Sequence, residues 1–419
     1  MTTRRRTATE PTGGDTNGGY RSVSVALFLC LFASQAAVIA MSPVLAEAAA
    51  DLHVSTAAAG QLRTITGLAA GITALGLGAV AARVGLGRQL LAASALLAIG
   101  SIASASAPTF PLLAVAQLPV GVGVAVLTTA GTLAAAEWVS AESQTRTLSW
   151  ALVGQPAAWI VGMPVVGVLG ESSWRYGWLA LPLAAAVVAG ILVASRAAQP
   201  PRSSRPARAR AALSDRALAR WLASELLTNA AWAGTLVYAG ALFAESYATS
   251  TKLTGCLLAV AAVSYVAGSL TCRRLVRYEP RRVLALLAVL LAVSDGLFAG
   301  ARTSIATSTA LFASAAFVAG GRTLVASALA LASRPEIRPA VTGLRAATMQ
   351  FGYFAGSIAG GAALAVGGYD ALGAVIGALF LGAAVMLTRR PGARITVGGG
   401  EPGRAHPQPL RPALHRARW

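Results

Sequence analysis

A chain of 419 residues in which 56% are hydrophobic and only 12% are charged lies outside the composition of soluble domains. Its net charge of +19 does not point to nucleic acid, because the Arg residues are spread over connectors and tails rather than gathered in one module. Alternating segments of about ten residues, the mark of barrel strands, are missing, whereas apolar runs of about 20 residues recur, and each can cross a bilayer as a helix. An all-α, multi-pass membrane protein is expected.

Span 1 is expected over Ser22–Ala46. Arg4, Arg5 and Arg6 ahead of it, with Ala46 and Ala48 behind, imitate a signal peptide, but the run is too long for one and many spans follow. Span 2 follows at Thr56–Ala82, span 3 at Gln89–Ala107, span 4 at Phe110–Ala136, span 5 at Thr147–Leu169 and span 6 at Trp178–Ser195. After a basic linker come span 7 (Trp221–Ala244), span 8 (Leu253–Leu275) and span 9 (Val283–Ala301). Spans 10, 11 and 12 occupy Thr307–Ser333, Ala340–Val366 and Ala371–Thr388. The organisation is therefore a tail (1–21), a six-helix bundle (22–195), a linker (196–220), a second bundle (221–388) and a basic tail (389–419). The linker is rich in Pro, Ser and Arg and reads as a flexible tether, and the two tails read as disordered and able to lie on anionic lipid.

The charges fix an orientation. One side receives the N-terminal tail, Arg83, Arg88, Arg146, the Arg196–Arg220 linker, Arg273–Arg282, Arg334, Arg338 and the C-terminal tail. The other side receives only Arg175, Lys252 and Arg302. By the positive-inside rule both termini are expected in the cytoplasm, and the protein in the cytoplasmic membrane. Trp138, Trp174, Trp178 and Trp221 lie near span ends, where an interfacial aromatic belt is expected.

Cys30, Cys256 and Cys272 fit neither a disulfide framework nor a metal site, and the three His residues form no catalytic constellation. No phosphate-binding Gly-rich loop ending in Lys-Ser/Thr is present, which argues against an ATP-driven pump. Neither a cofactor nor an enzymatic activity is expected.

The halves repeat weakly. Gly78-Ala-Val-Ala-Ala-Arg-Val-Gly-Leu-Gly-Arg88 after span 2 has a counterpart in Gly268-Ser-Leu-Thr-Cys-Arg-Arg after span 8, and Gln155-Pro156 with Gly162 and Gly167 is echoed by Gln350, Gly352, Gly356 and Gly360. A six-plus-six parallel repeat is a transporter architecture.

From Val23 to Thr388 the chain resembles the major facilitator superfamily, and within it the twelve-span drug:proton antiporters that include arabinose and chloramphenicol exporters. In the loop after span 2, Gly78, Arg83, Gly85 and Arg88 match the family pattern, with Ala82 where the family carries Asp. The span 4 signature appears as Gln117-Leu-Pro-Val-Gly121-Val-Gly123, with Gln117 at the family's coupling Arg. The span 5 antiporter motif appears as Gly162-Met-Pro164-Val-Val-Gly167. The resemblance implies two six-helix bundles related by a pseudo-two-fold axis, working as a monomer. It also implies export of a small organic molecule in exchange for protons. Uptake or facilitated transport without protons, and a non-transporting scaffold or sensor, are the alternatives.

Ionisable groups inside the bilayer are costly and mark function or pairing. Arg63 in span 2 either snorkels to the headgroups or serves an anion or proton site. Arg322, flanked by Gly320 and Gly321, either serves a cavity or coupling role or closes a structural ion pair. Asp295 in span 9 is either a proton carrier or structurally paired, and the resemblance puts span 9 at the periphery. Glu225 and Arg345 lie shortly inside the same face on spans that the resemblance makes neighbours. They are expected to pair, as a clasp that opens during the cycle or as a static clamp. Substrate-binding candidates on the lining spans are Gln35, Gln117, Gln155, Trp159, Asn229, Trp232, Tyr238, Gln350 and Tyr353, whose amides orient ligands and whose rings bind apolar or cationic ones. Gly162, Pro164, Gly167, Gly352, Gly356 and Gly360 thin or loosen spans 5 and 11, either for close packing or as surfaces along which the halves rock.

Overall fold

The computed structural model describes residues 16–81, 83–198, 214–334 and 337–388. Residues 1–15 of the first expected tail, the whole second tail, most of the linker and Ala82 lie outside these residues, as do the side chains of 78–81 and with them Gly78, whereas residues 16–21, expected in the disordered tail, are helical and open span 1. Twelve helices cross the molecule, each close to its expected place. Spans 1 to 6 are Thr16–Ile39, Leu62–Ala81, Leu86–Ser106, Phe110–Glu137, Ala141–Gly170 and Tyr176–Ala194. Spans 7 to 10 are Arg216–Tyr247, Thr251–Thr271, Pro280–Gly300 and Ile305–Leu331. Arg338–Thr388 is broken at Gly367 and Gly368 into span 11 (338–366) and span 12 (369–388). Gly368 has φ +63 and ψ −156, a region open only to glycine, so the turn can stand nowhere else.

Spans 1 and 5 begin six residues earlier than expected, at Thr16 and Ala141, and three further boundaries differ for local reasons. Span 1 ends at Ile39 rather than Ala46, and Pro43, which has no N–H to continue the helix, lies in the turn that follows. A separate short helix, Leu45–Asp51, then follows. Span 7 begins at Arg216, where the Asp215 carboxylate accepts from the N–H groups of Ala217 (2.8 Å) and Leu218 (3.3 Å) as an N-cap. Span 2 is preceded by a short helix, Thr56–Gly60, capped by Ser55 and separated from it at Gln61.

The packing repeats in the two halves. Span 1 lies along span 5, span 2 along span 4, and span 3 along spans 4 and 6. Spans 7 and 11, 8 and 10, 9 and 10 pair in the same way, and the Cβ position of Gly373 in span 12 lies 2.8 Å from the Gly296 carbonyl oxygen of span 9. The pairing of corresponding spans is the signature of the pseudo-two-fold repeat. Between the halves, span 2 meets span 11 and span 5 meets span 8, so the two long contacts are themselves symmetry mates.

The aromatic belt is not found where expected: Trp174, Trp178 and Trp221 are buried inside the bundles. Trp138 lies under the Arg196 guanidinium, 5.0 Å from the ring centroid. Position near a span end says nothing about which face of the helix a ring occupies. The three cysteines are free, with Cys30 buried and Cys256 exposed.

Candidate functional site

The end of the molecule away from the basic loops is sealed between the halves. Gly167 and Gly255 carry spans 5 and 8 past each other so closely that a Cβ on Gly167 would stand 2.5 Å from the Thr251 carbonyl oxygen. The carbonyl of Ser42, presented by the turn at Pro43, abuts Gly240 of span 7. Gln61 Nε2 donates to the Ser357 carbonyl of span 11 (2.9 Å), and the Tyr238 hydroxyl donates to the Ala57 carbonyl (3.2 Å). The Glu245 carboxylate accepts from the hydroxyls of Thr56, in the first half, and Tyr369, in the second (2.9 Å). A shared apolar core backs this seal, with Ile39, Leu45, Ala59 and Met163 of the first half set among Leu242, Phe243, Phe298 and Phe312 of the second.

Toward the basic end the halves part. Gly343 lies two turns from Gln350 on the same face of span 11, and nothing stands within 4 Å of its Cβ position. The apolar cluster at this end, from Trp221 and Leu222 to Ala383 and Leu387, contains residues of the second half alone. Residues Arg88 and Gly87 instead tie the loop after span 2 to the end of span 6. The Arg88 Nε donates to the Ala197 carbonyl (3.0 Å), and the Arg196 carbonyl occupies the space a Cβ on Gly87 would need. Arg83, in the same loop, is exposed, and Gly85 is the N-cap of span 3.

Beneath the seal lies a small pocket of about 20 Å³ between the halves. Its first wall is Val38, Ser42, Arg63 and Trp159, and its second is Ala233, Leu236, Val237 and Tyr353. The Arg63 guanidinium stacks over the Tyr353 ring, 4.7 Å from its centroid, a contact worth about 0.5–2 kcal/mol. One of its nitrogens is buried with no hydrogen-bond partner among the described residues. Arg63 therefore faces the pocket rather than the outer headgroups. Trp159 is held in place by its Nε1, which donates to the Gln35 amide oxygen (3.1 Å).

In the second half the structure joins three of the five ionisable candidates. Glu225, buried, contacts Arg322 at 2.7 Å through one carboxylate oxygen and Arg345 at 3.2 Å through the other. Arg322 is buried as deeply as Glu225, whereas the Arg345 side chain is 25% exposed. Arg322 also donates weakly to Ser224 (3.4 Å), which in turn donates to the Ala383 carbonyl of span 12 (3.0 Å). The expected pair of Glu225 and Arg345 is thus a triad with Arg322. Asp295 is fully buried and accepts from the Thr235 hydroxyl (2.8 Å), and its other oxygen has no hydrogen-bond partner among the described residues.

The remaining candidates are dispersed. Of the nine substrate-binding candidates, Trp159 and Tyr353 line the pocket. Gln117 is knitted into the first half, accepting from Thr66 (3.2 Å) and donating to Ser104 (3.0 Å), away from the pocket. Tyr238 belongs to the seal, and Asn229 donates to the Glu225 carbonyl of its own helix (2.7 Å). Trp232 is stacked between Tyr265 and Phe312 within the second half. Gln155 is half-buried in span 5, while Gln350 is buried with its amide oxygen unpartnered among the described residues.

Gly352, Gly356 and Gly360 pack on Asn229, Ala230 and Tyr238 of span 7, inside the second half, so their face does not lie between the halves. Gly167 does lie between them, and Gly162 packs on Ile39 within the first half, near Pro164 in the same helix. Sequence reasoning missed Gln61, Ser42, Gly240 and Glu245. Gln61 alone left a signal, as an amide two residues from Arg63 at the head of an apolar run.

A family model described as Major Facilitator Superfamily matches residues 27–276 and 222–419. No curated protein matches the chain. Among solved structures, the nucleoside transporter NupG superposes with a TM-score of 0.68 at 18% identity, over 88% of this chain and 97% of that one. A D-xylose-proton symporter superposes with a TM-score of 0.69 at 15% identity, again over 88% and 97%. A bacterial homolog of the human lysosomal transporter Spinster, inward-facing and unoccupied, gives 0.67 at 14%, over 90% and 95%. At such identities these likenesses establish the fold.

Proposed function

The chain belongs to the Major Facilitator Superfamily, and from that premise we propose that it is a secondary transporter of the cytoplasmic membrane that exports a small organic molecule in exchange for protons. The pocket between two halves that are sealed at one end and parted at the other carries this reading. If the basic loops face the cytoplasm, as their charge requires, the sealed end is external and the pocket is presented inward, where an exporter loads. Rocking of the halves would part spans 2 from 11 and 5 from 8 outside, and bring the same helices together inside.

The coupling element in this reading is Glu225. A proton on its carboxylate removes the charge that holds Arg345, the more exposed and more distant of its two partners, while Arg322 stays in place. A scaffold or sensor is disfavoured by a central space whose lining sets a guanidinium, an indole and a phenol among its apolar side chains. Facilitated transport without protons is the second reading. It is favoured by Gln117, a neutral residue tied into helix packing at the position where the resemblance expects a coupling Arg.

Inside-out vesicles with an imposed proton gradient, offered labelled cationic, neutral and anionic compounds, test the reading. Accumulation of any one of them that vanishes on collapsing the gradient, and in Glu225→Gln, is the expected result. Accumulation that survives collapse leaves the facilitated reading, and failure of every class to cross removes transport.

A further inference from the structure

We infer that the pocket selects organic anions: small carboxylates or like monoanions with an apolar or aromatic body, held by Arg63. The inference rests on the transport reading and names the substrate class of the same site. Its first support is the charge count at the centre of the molecule. Within the spans three guanidinium groups (Arg63, Arg322 and Arg345) stand against two carboxylates: both oxygens of Glu225 are already engaged by Arg322 and Arg345, and Asp295 accepts from Thr235. Among the described residues no carboxylate pairs with Arg63, and the pocket lining contains no acidic side chain.

The second support is how Arg63 is held. Its neighbour is the face of Tyr353, which steers the guanidinium without neutralising it and leaves a buried nitrogen without an acceptor among the described residues. A buried cation lacking a counter-charge favours an anion in the adjoining space, because its own lost hydration is recovered only by a partner of opposite sign. The third support is the remaining wall. Val38, Leu236 and Val237, with the flat indole of Trp159, offer an apolar slot beside the single charge. That arrangement fits an amphipathic monoanion and rejects a cation, which would meet Arg63 head on. In this conformation the space is only about 20 Å³, room for about one water, so a ligand enters only as the lining side chains move apart.

Equilibrium binding of radiolabelled benzoate to the full chain in lipid nanodiscs, with unlabelled benzamide and benzylamine as competitors, tests the inference. These three probes share a ring and differ in charge. Benzoate is expected to bind at least about tenfold more tightly than either competitor, and rising salt is expected to weaken it. Arg63→Gln is expected to abolish that preference, and Arg63→Lys, which keeps the charge, to retain part of it. Because Arg63→Gln could disturb folding, its thermal unfolding is compared with that of wild type. Benzylamine or benzamide competing as well as benzoate overturns the inference. So does benzoate binding that survives Arg63→Gln, or the lack of saturable benzoate binding at millimolar concentration. Export of a cationic or neutral compound from the vesicle panel, with the anion left behind, would sink the anion assignment while leaving the transporter reading intact.

Discussion

The sealed end and the triad of Glu225, Arg322 and Arg345 hold the molecule together by different means. Across the seal, the halves meet through glycine-backed backbone approaches and through hydrogen bonds that are mostly between neutral groups: Gln61 to Ser357, Tyr238 to Ala57. The triad uses full charges buried in one half. The contrast follows the work each must do. A neutral hydrogen bond is worth about 1 kcal/mol net, so several can be made and broken in each cycle. Separating a buried ion pair by loss of one partner costs about 3–5 kcal/mol, which suits a joint that persists or that opens only when its charge is cancelled.

Substitutions at the two regions sharpen or break that contrast. The largest effect is expected from Glu225→Gln, which leaves the buried Arg322 without its counter-charge beside the partly exposed Arg345. A loss of about 3–5 kcal/mol in unfolding free energy is predicted, and second substitution of Arg345 by Gln should restore part of it. Chemical unfolding of the detergent-solubilised protein measures both, and an unchanged midpoint would dissolve the distinction between the regions. Next comes Gly167→Val, which forces spans 5 and 8 apart at Thr251. Spin labels across the sealed end should report a wider separation in a protein of wild-type stability. Gly356→Val, inside the second half, should instead reduce the yield of folded protein. Equal behaviour of the two variants would show that the sealed end is not a moving joint.

A smaller effect is expected from Gln61→Ala. Losing its bond to Ser357 should weaken the seal by about 1 kcal/mol, a roughly fivefold change in the ratio of closed to open molecules read by the same spin labels. The smallest belongs to Asp51, in the short helix after span 1. Its carboxyl is held below the usual carboxylate range by the Trp174 indole N–H (3.0 Å) and then by Arg175 (2.6 Å). A depressed carboxyl stabilises above its ordinary value near about 3.9, and the benefit disappears as pH falls through the folded value. For this exposed pair Asp51→Asn should cost a few tenths of a kcal/mol at neutral pH. Melting curves of wild type and variant should converge on acidification, and a constant gap between them would place the effect elsewhere.

The fold was legible in the sequence because apolar length and the side chosen by each Arg are properties of single segments. The joining of Glu225 with Arg345 was legible too, since few charges lie within apolar runs and each must find one of the others. Burial of Trp174, Trp178 and Trp221 was not, because an indole near a span end has the same sequence signature whether it faces lipid or a neighbouring helix. Nor was the placement of Gly352, Gly356 and Gly360 against span 7: a small-residue stripe announces close approach but not the identity of the partner. The seal was hidden for a related reason. Ser42 meets Gly240 only because span 1 ends early, and the residues involved are distant in the chain and chemically plain.

The lone guanidinium of Arg63 has an electrical consequence. With an anion bound, the charge at the pocket is cancelled, so the loaded site changes sides with little sensitivity to voltage. The empty site retains its positive charge, and its return bears the membrane potential, about 2.3 kcal/mol per 100 mV for a full charge crossing the field. An exporter built this way would be paced by voltage on the return stroke, and a transient current recorded without substrate, lost in Arg63→Gln, would be its signature.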